Sequence, residues 1–177
     1  MVRFSVPCFL LTAVCLGARA EEQPKAAAVE KLAQELGKAT LEEDYAKVID
    51  HTYDAVVKEM GGREKAIKTT ETLMKQMKDR GIALKTYKAG QPGKFFIEGA
   101  NTFVVVPTVV EMTIPGGKAV GRSYLLGISP DGSKTWKFVD GSGIGMDKPA
   151  AREKLLPKLP AKLKLPDIEK PEIIKEK

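Results

Sequence analysis

The sequence predicts an α+β fold in which N-terminal helices pack on a curved antiparallel sheet. Apolar residues recur every three or four positions from Lys25 to Arg80, which is typical of amphipathic helices, and the pattern becomes strand-like from Ile82 to Val139. Short segments rich in glycine and proline separate the predicted strands, and connections this short join antiparallel neighbours. Helices followed by hairpins are expected to form two layers around one core.

Two helices are predicted in the first part of this pattern. The first begins at Lys25 and ends or bends at Gly37, because glycine is a weak helix former. Thr40 then reads as the N-cap of a second helix, with Glu43 three residues later completing a capping box. This second helix is expected to continue without a break to Gly61-Gly62.

A third helix and five strands complete the predicted domain. The helix runs from residue 63 to 80 and places Ile67, Thr70, Leu73, Met74 and Met77 inward, and Gly81 follows as its C-terminal cap. The strands are predicted at residues 82–87, 94–98, 102–114, 118–129 and 135–139.

The two long strands form a hairpin whose register assigns two faces to the sheet. If Gly116-Gly117 is a two-residue turn, Ile114 lies opposite Ala119 and Glu111 lies opposite Arg122. One face mostly sets large residues opposite small ones, which leaves room for helices, so we assign it to the core and name it the inner face. It comprises Val104, Val106, Thr108, Val110, Met112, Ala119, Gly121, Ser123, Leu125 and Gly127.

The opposite side of the hairpin, the outer face, is also apolar away from the turn. An apolar surface of this kind must be covered by the C-terminal segment, by a partner or by a ligand. The outer face comprises Val105, Pro107, Val109, Glu111, Arg122, Tyr124, Leu126 and Ile128.

The first twenty residues are typical of a secretory signal peptide. Arg3 precedes an apolar run from Phe4 to Gly17, and Ala18-Arg19-Ala20 is a small-x-small cleavage site. We therefore expect cleavage after Ala20 and a periplasmic or secreted product. The run is too short for a stable membrane span, and its removal takes away both cysteines of the chain.

The remaining chain divides into a domain, residues 21–147, and a C-terminal segment, residues 148–177. The whole chain carries a net charge of +6, and the C-terminal segment holds nine basic and five acidic residues. The folded part is therefore close to neutral, which excludes the basic surface of a nucleic-acid binder.

Closely spaced prolines rule out a long helix in the C-terminal segment. One helical turn is nevertheless expected at 150–156, and residues 167–177 are expected to be mobile. Its leucines are candidates to cover the outer face: Leu155, Leu156, Leu159, Leu163 and Leu165.

The string from Ser129 to Trp136 resembles the Asp-box hairpin, whose pattern is Ser-x-Asp-x-Gly-x-Thr-Trp. Asp131 is expected to accept hydrogen bonds from turn amides, and Trp136 is expected to pack beneath the turn. Ser133 stands where the pattern has glycine. The motif therefore predicts a structural role.

The candidate ligand-binding residues lie on the second helix and on the returning strand. Tyr45 and Tyr53 could line the opening of a pocket, with Asp54 and Asp44 beside them, or could be core tyrosines with hydroxyls at the rim. Arg122 could form a polar clamp with Glu111, or a cross-strand ion pair of little energetic weight.

Tyr124 stands on the outer face, where it would contact a ligand or partner. His51, the single histidine, is placed on a solvated helix face, and without a second histidine or a cysteine we expect no zinc site. No cofactor-binding motif is present, because Gly141-Ser142-Gly143-Ile144-Gly145 lacks the residues that a phosphate loop requires.

Three segments carry a resemblance to the nuclear transport factor 2-like superfamily, also described as SnoaL-like or cystatin-like and cone-shaped. They are residues 41–48, the valine-rich strand 102–114, and residues 123–128 together with 136–141. The resemblance is to uncharacterised exported members. It implies a cavity between helices and concave sheet, and often a homodimer through the outer face.

These observations leave three hypotheses about function. The first is an exported, non-enzymatic domain that binds a small apolar ligand or a protein partner, with a homodimer through the outer face. The second is a cyclase- or isomerase-like enzyme using Asp44, Tyr45, Tyr53 or Asp54, although the predicted inner face carries no carboxylate. The third is envelope association through the C-terminal segment.

Overall fold

The computed structural model describes residues 17–132, 134–143, 146 and 148–175, with side chains described from Lys25 onward. Residues 1–16 of the predicted signal peptide lie outside the described residues. The helices are α1 (Gly17–Leu41), α2 (Tyr45–His51), α3 (Asp54–Glu59), α4 (Arg63–Asp79) and α5 (Pro149–Leu155). The strands are β1 (Ala83–Ala89), β2 (Phe96–Glu98), β3 (Asn101–Ile114), β4 (Gly117–Ser129), β5 (Lys137–Asp140) and β6 (Glu172–Lys175).

These elements form an α+β fold with helices packed against a strongly curled antiparallel sheet, as the sequence predicts at this level. Four strands follow one another across the sheet in the order β1-β3-β4-β5. Strand β2 pairs with β3, and β6 pairs with β4 beside the β3–β4 turn. The pairings between these strands are antiparallel within the described residues, and a single parallel bridge joins Thr52 to Phe138.

The predicted register of the long hairpin is wrong by two positions. Ile114 lies opposite Gly117, so the turn is Pro115-Gly116, with Gly116 at a φ of 78°. Gly117 joins β4 because β6 lies against it, and a Cβ atom there would clash with the backbone oxygen of Ile174. A shift by two keeps every side chain on its predicted face.

Both predicted faces are covered from within the chain. Helix α1 packs on the inner face, where Val29, Ala33 and Leu36 meet Val104, Val106, Leu125, Trp136 and Phe138 in one buried cluster. The C-terminal segment crosses the outer face. There Leu155, Leu156, Leu159, Leu163 and Leu165 pack against a second cluster that includes Phe103, Tyr124, Leu126, Ile128 and Val139.

The C-terminal segment is more ordered than the sequence predicts. The expected helical turn is α5, but the expected mobile stretch contains β6, which pairs with residues 117–120 of β4. Its side chains are exposed, so backbone hydrogen bonds to the edge of β4 hold this strand, and no periodic apolar pattern marked it.

The sequence predicts that the first helix ends or bends at Gly37, and helix α1 does not end there. The helix continues to Leu41, and Thr40 is inside it, donating its hydroxyl to the carbonyl of Leu36 at 2.9 Å. Gly37 is where the ring of Tyr87 approaches, since a Cβ atom there would lie 2.8 Å from Cε1 and closer still to Cδ1. The glycine thus permits a close contact between helix and sheet.

The predicted second helix is two helices with a different cap. Asp44 replaces Thr40 as the N-cap of α2, because its carboxylate accepts the amide of Lys47 at 3.1 Å. The break between α2 and α3 falls at Thr52 and Tyr53. The amide of Tyr53 donates to the carbonyl of Phe138 at 2.9 Å. This amide therefore bonds to β5 instead of to a carbonyl of the preceding helical turn, and α2 ends there.

Helix α4 ends as predicted. Gly81 adopts a φ of 75°, the amide of Gly81 donates to Lys78, and the amide of Ile82 donates to Met77. These two bonds form a Schellman motif, which satisfies the last carbonyls of the helix.

The turn after β4 has the predicted Asp-box interactions. Asp131 Oδ1 accepts the hydroxyl of Ser129 at 2.8 Å and the amides of Lys134 and Thr135 at 3.1 and 3.0 Å, and Oδ2 accepts the Thr135 hydroxyl at 2.8 Å. Trp136 is buried and meets Phe95 edge-on at 5.8 Å. The hydrogen bonds from Thr135 and Ser129 lower the pKa of Asp131 to about 2.

Replacing Gly37 with alanine tests its contact with Tyr87. We expect G37A to lower the free energy of unfolding by about 1–3 kcal/mol through overpacking, although alanine favours a helix by about 1 kcal/mol. In a Tyr87→Ala background the same change should be neutral or stabilising, because the ring is gone. Urea unfolding of the four proteins measures this, and equal effects in both backgrounds would contradict the contact.

Replacing Asp131 with asparagine tests the charged turn. Because the folded pKa of Asp131 lies below its unfolded value, its stabilisation is present above about pH 4 and is lost as the pH falls towards 2. We expect D131N to be less stable than the parent at pH 7, with the difference closing between pH 4 and 2. Thermal unfolding against pH measures this, and Lys134→Ala, which keeps the amide, should follow the parent curve.

Truncation tests the cover on the outer face. Removing residues 148–177 should expose the second cluster and cause self-association, or lower the unfolding free energy by several kcal/mol, because full burial of one leucine contributes about 1.5–3 kcal/mol and four of the five leucines are partly buried. Removing only 171–177 should have a much smaller effect, because the side chains of β6 are exposed. Light scattering and urea unfolding distinguish the two, and identical behaviour would show that the leucines contribute little.

Candidate functional site

A cavity of about 450 Å³ lies between the helices and the sheet. It exists because α4 packs against α2 and α3 and leaves a gap between itself and the strands. The guanidinium of Arg63, at the start of α4, donates two hydrogen bonds of 2.6 and 2.8 Å to the carboxylate of Asp50, near the end of α2. Leu73 of α4, 49% exposed, stands at the rim.

The lining of the cavity is predominantly apolar. It draws on α1 to α4 and on three strands, and comprises Leu36, Val48, Ile49, Val56, Met60, Leu73, Met74, Met77, Leu125, Phe138 and Val139 with a few polar residues. Met60, Met74 and Met77 give it an adaptable surface, because methionine is unbranched and polarizable.

Three threonines in the lining do not offer free donors. The hydroxyls of Thr40, Thr52 and Thr70 each donate 2.9 Å to the carbonyl four residues earlier in the chain. A ligand in the cavity therefore meets little unsatisfied hydrogen-bonding capacity from the helices.

One end of the cavity is polar, and there the lining includes Tyr87, Asp140 and Ser142. Asp140 Oδ1 accepts the amide of Ser142 at 2.8 Å, the hydroxyl of Ser142 at 2.7 Å and the hydroxyl of Ser123 at 3.3 Å. Burial and then the charge of Asp140 raise the pKa of Tyr87, while the nearby Thr108 hydroxyl acts in the opposite direction. The Tyr87 hydroxyl is therefore neutral around pH 7.

None of the five predicted ligand-binding residues lines this cavity. Tyr45 is buried and borders a separate shallow pocket with Lys78 and Glu43, and burial raises its pKa. Tyr53 packs against the second cluster, and burial likewise raises its pKa. Asp54 is exposed, 3.9 Å from the amine of Lys137.

Glu111 and Arg122 form neither the predicted clamp nor the alternative cross-strand ion pair. With the corrected register Arg122 lies opposite Val109, and Glu111 pairs with Lys118 at 3.3 Å. Arg122 is exposed.

Tyr124 is 3% exposed and lies beneath the C-terminal segment. Burial is the main cause of its raised pKa. The segment thus occupies the surface through which we predicted a homodimer. Tyr124 also borders an open groove with Arg152 and Asp167, whose mixed polar lining fits an apolar ligand less well than the helix–sheet cavity does.

The residues assigned to the enzyme hypothesis are also outside the cavity. Asp44 is the N-cap of α2, and Tyr45, Tyr53 and Asp54 lie at the positions given above. His51, which was predicted to lie on a solvated helix face, is partly buried at the end of α2, and burial lowers its pKa. Within the described part of the chain, no group of three or more histidine, cysteine, aspartate or glutamate side chains is arranged to hold a metal ion.

Sequence reasoning missed Asp140 and Tyr87. A signal for Asp140 was present, because Trp136 and Phe138 alternate as core residues and Asp140 continues the same period of two. The pairing of Gly127 with Phe138 and of Leu125 with Asp140 places it on the inner face. The strand-like pattern around Tyr87 does not reveal that α1 approaches it at Gly37.

Comparison with known proteins adds no assignment. No protein-family model, no curated protein and no solved structure matches the chain. Of the helices in the described ranges, none is long and apolar enough to cross a membrane. The geometry of the cavity is therefore the basis for a functional assignment.

Proposed function

We propose that this protein is an exported, non-enzymatic domain that binds a small apolar ligand in the cavity between the helices and the sheet. The apolar lining of this cavity carries the proposal. Its volume of about 450 Å³ falls within the range of about 300–1,000 Å³ that is usual for small-molecule sites. Export is supported by the composition of the first twenty residues.

The proposal includes membership of the nuclear transport factor 2-like superfamily. The arrangement that this resemblance implies, helices over a curled antiparallel sheet with a cavity between them, is compatible with the fold described above. The same resemblance implies a dimer through the outer face. The proposal does not include that dimer, because the leucines of the C-terminal segment cover the outer face.

Ligand binding is favoured over catalysis by the chemistry of the lining. The threonine hydroxyls are engaged within the helices, and the carboxylate of Asp140 is exposed at one end. General acid–base chemistry needs a group positioned against the reacting atoms, and the four residues assigned to that role lie elsewhere.

A series of straight-chain alcohols tests the apolar site. Displacement of the neutral fluorophore N-phenyl-1-naphthylamine by hexanol, octanol and decanol should show affinity rising about fourfold per added methylene, from about 0.8 kcal/mol for each buried CH₂. The rise should stop when the chain fills the cavity. Affinity independent of chain length would contradict an enclosed apolar site.

A variant at the rim locates the site. Leu73→Trp places a larger side chain at the opening and should weaken octanol binding at least tenfold, while the unfolding free energy changes by less than about 0.5 kcal/mol because the position is half exposed. Ile97→Trp is the matched control, since Ile97 is 74% exposed on β2 and outside the lining. Equal losses in both variants, or none in either, would place binding elsewhere.

A further inference from the structure

The charges around the cavity limit which head group its ligand can carry. Among the residues that the structure describes, the lining contains one acidic side chain, Asp140, and no lysine, arginine or histidine. An apolar ligand with a charged or polar head would place that head at the polar end, because the rest of the wall is apolar. The character of Asp140 then decides which heads are accepted.

One carboxylate oxygen of Asp140 accepts hydrogen bonds, and the described residues donate none to the other. Its Oδ1 receives the three hydrogen bonds from Ser142 and Ser123. Among the described residues no hydrogen bond reaches Oδ2 and no salt bridge joins Asp140 to a basic side chain. A carboxylate oxygen only accepts hydrogen bonds, so the group that meets it must be a donor.

The neighbouring groups do not provide a site for an anion. The hydroxyls of Thr40, Thr52 and Thr70 donate within their own helices. The other polar group at this end, the hydroxyl of Tyr87, is neutral and lies near the negative charge of Asp140. A carboxylate or phosphate head would be repelled by Asp140, and the described lining residues include no cation to offset the repulsion.

We infer that the ligand is an amphiphile whose aliphatic body fills the apolar cavity and whose head is a hydrogen-bond donor, best a protonated amine, held against Asp140. The inference rests on the proposed function of the same cavity. An alcohol head satisfies the same oxygen without the charge attraction, and an acid head is disfavoured. Because Asp140 is exposed, the discrimination is moderated by solvent and is expected to be about tenfold between amine and acid.

Three probes with the same chain test the inference: octylamine, 1-octanol and octanoate, each competing with N-phenyl-1-naphthylamine at pH 7 and low ionic strength. We expect octylamine to bind about tenfold tighter than octanoate, with octanol between them. Raising the salt concentration should reduce the ratio of amine to acid on the unmodified protein without changing octanol affinity. This measurement needs no variant and is therefore independent of folding.

Asp140→Asn removes the charge and should bring octylamine and octanoate within about twofold of each other, with octanol changed by less than about threefold. Asp54→Asn is the matched control, because Asp54 is an exposed aspartate outside the lining, and it should preserve the ratio. Octanoate binding as tightly as octylamine, or a ratio that survives Asp140→Asn, overturns the inference.

The failure of this inference is distinguishable from the failure of the proposed function. One outcome separates the two: the alcohols bind with the expected chain-length dependence, and Leu73→Trp weakens octanol binding, but octylamine, octanol and octanoate bind equally. The apolar site is then supported and the head-group inference is wrong. If octanol does not bind, or Leu73→Trp behaves like Ile97→Trp, both fall.

Discussion

The β3–β4 hairpin is apolar on both faces, and burying both of them organises the rest of the chain. Val104, Val106 and Leu125 on one side and Tyr124 and Leu126 on the other are nearly inaccessible to solvent. Away from the turn, neither face of the hairpin is polar enough to be left to solvent, so each side must be covered. Helix α1 supplies one, and the C-terminal segment supplies the other.

The two covers differ in kind, and the difference has structural consequences. Helix α1 is a continuous rod that approaches β1 at Gly37. The C-terminal segment is rich in proline and crosses the outer face with its leucines packed on the second cluster and its described lysines exposed. It ends as β6, which pairs with the edge of β4 next to the turn. The segment therefore covers the surface through which the resemblance predicted a homodimer.

The cavity follows from the path of the chain between α1 and the sheet. The break at Thr52 and Tyr53 joins the second helix to β5, and the glycine turn at 61–62 sends α4 back across α2 and α3. Helix α4 is held by those helices and by the pair of Arg63 with Asp50. The gap that remains is apolar along its walls and polar at Asp140, which is the arrangement expected of a site for an amphiphile.

The sequence by itself determined the order of helices and strands, the face that each side chain of the hairpin occupies, the Asp131 turn and the leucines that cover the outer face. These features depend on periodicity and on bonds between near neighbours, which a single chain displays directly. Only the tertiary structure decided the passage of α1 through Gly37, the break at Thr52, the turn at Pro115-Gly116 and the strand β6. Each of these depends on a partner distant in the sequence. Gly37 of α1 meets Tyr87, the break at Thr52 depends on a hydrogen bond to Phe138, and both the turn and β6 depend on the contact between Gly117 and Ile174. The candidate site falls in the same category, because Tyr87 on β1 and Asp140 on β5 line one cavity only through the curvature of the sheet, which no local pattern encodes.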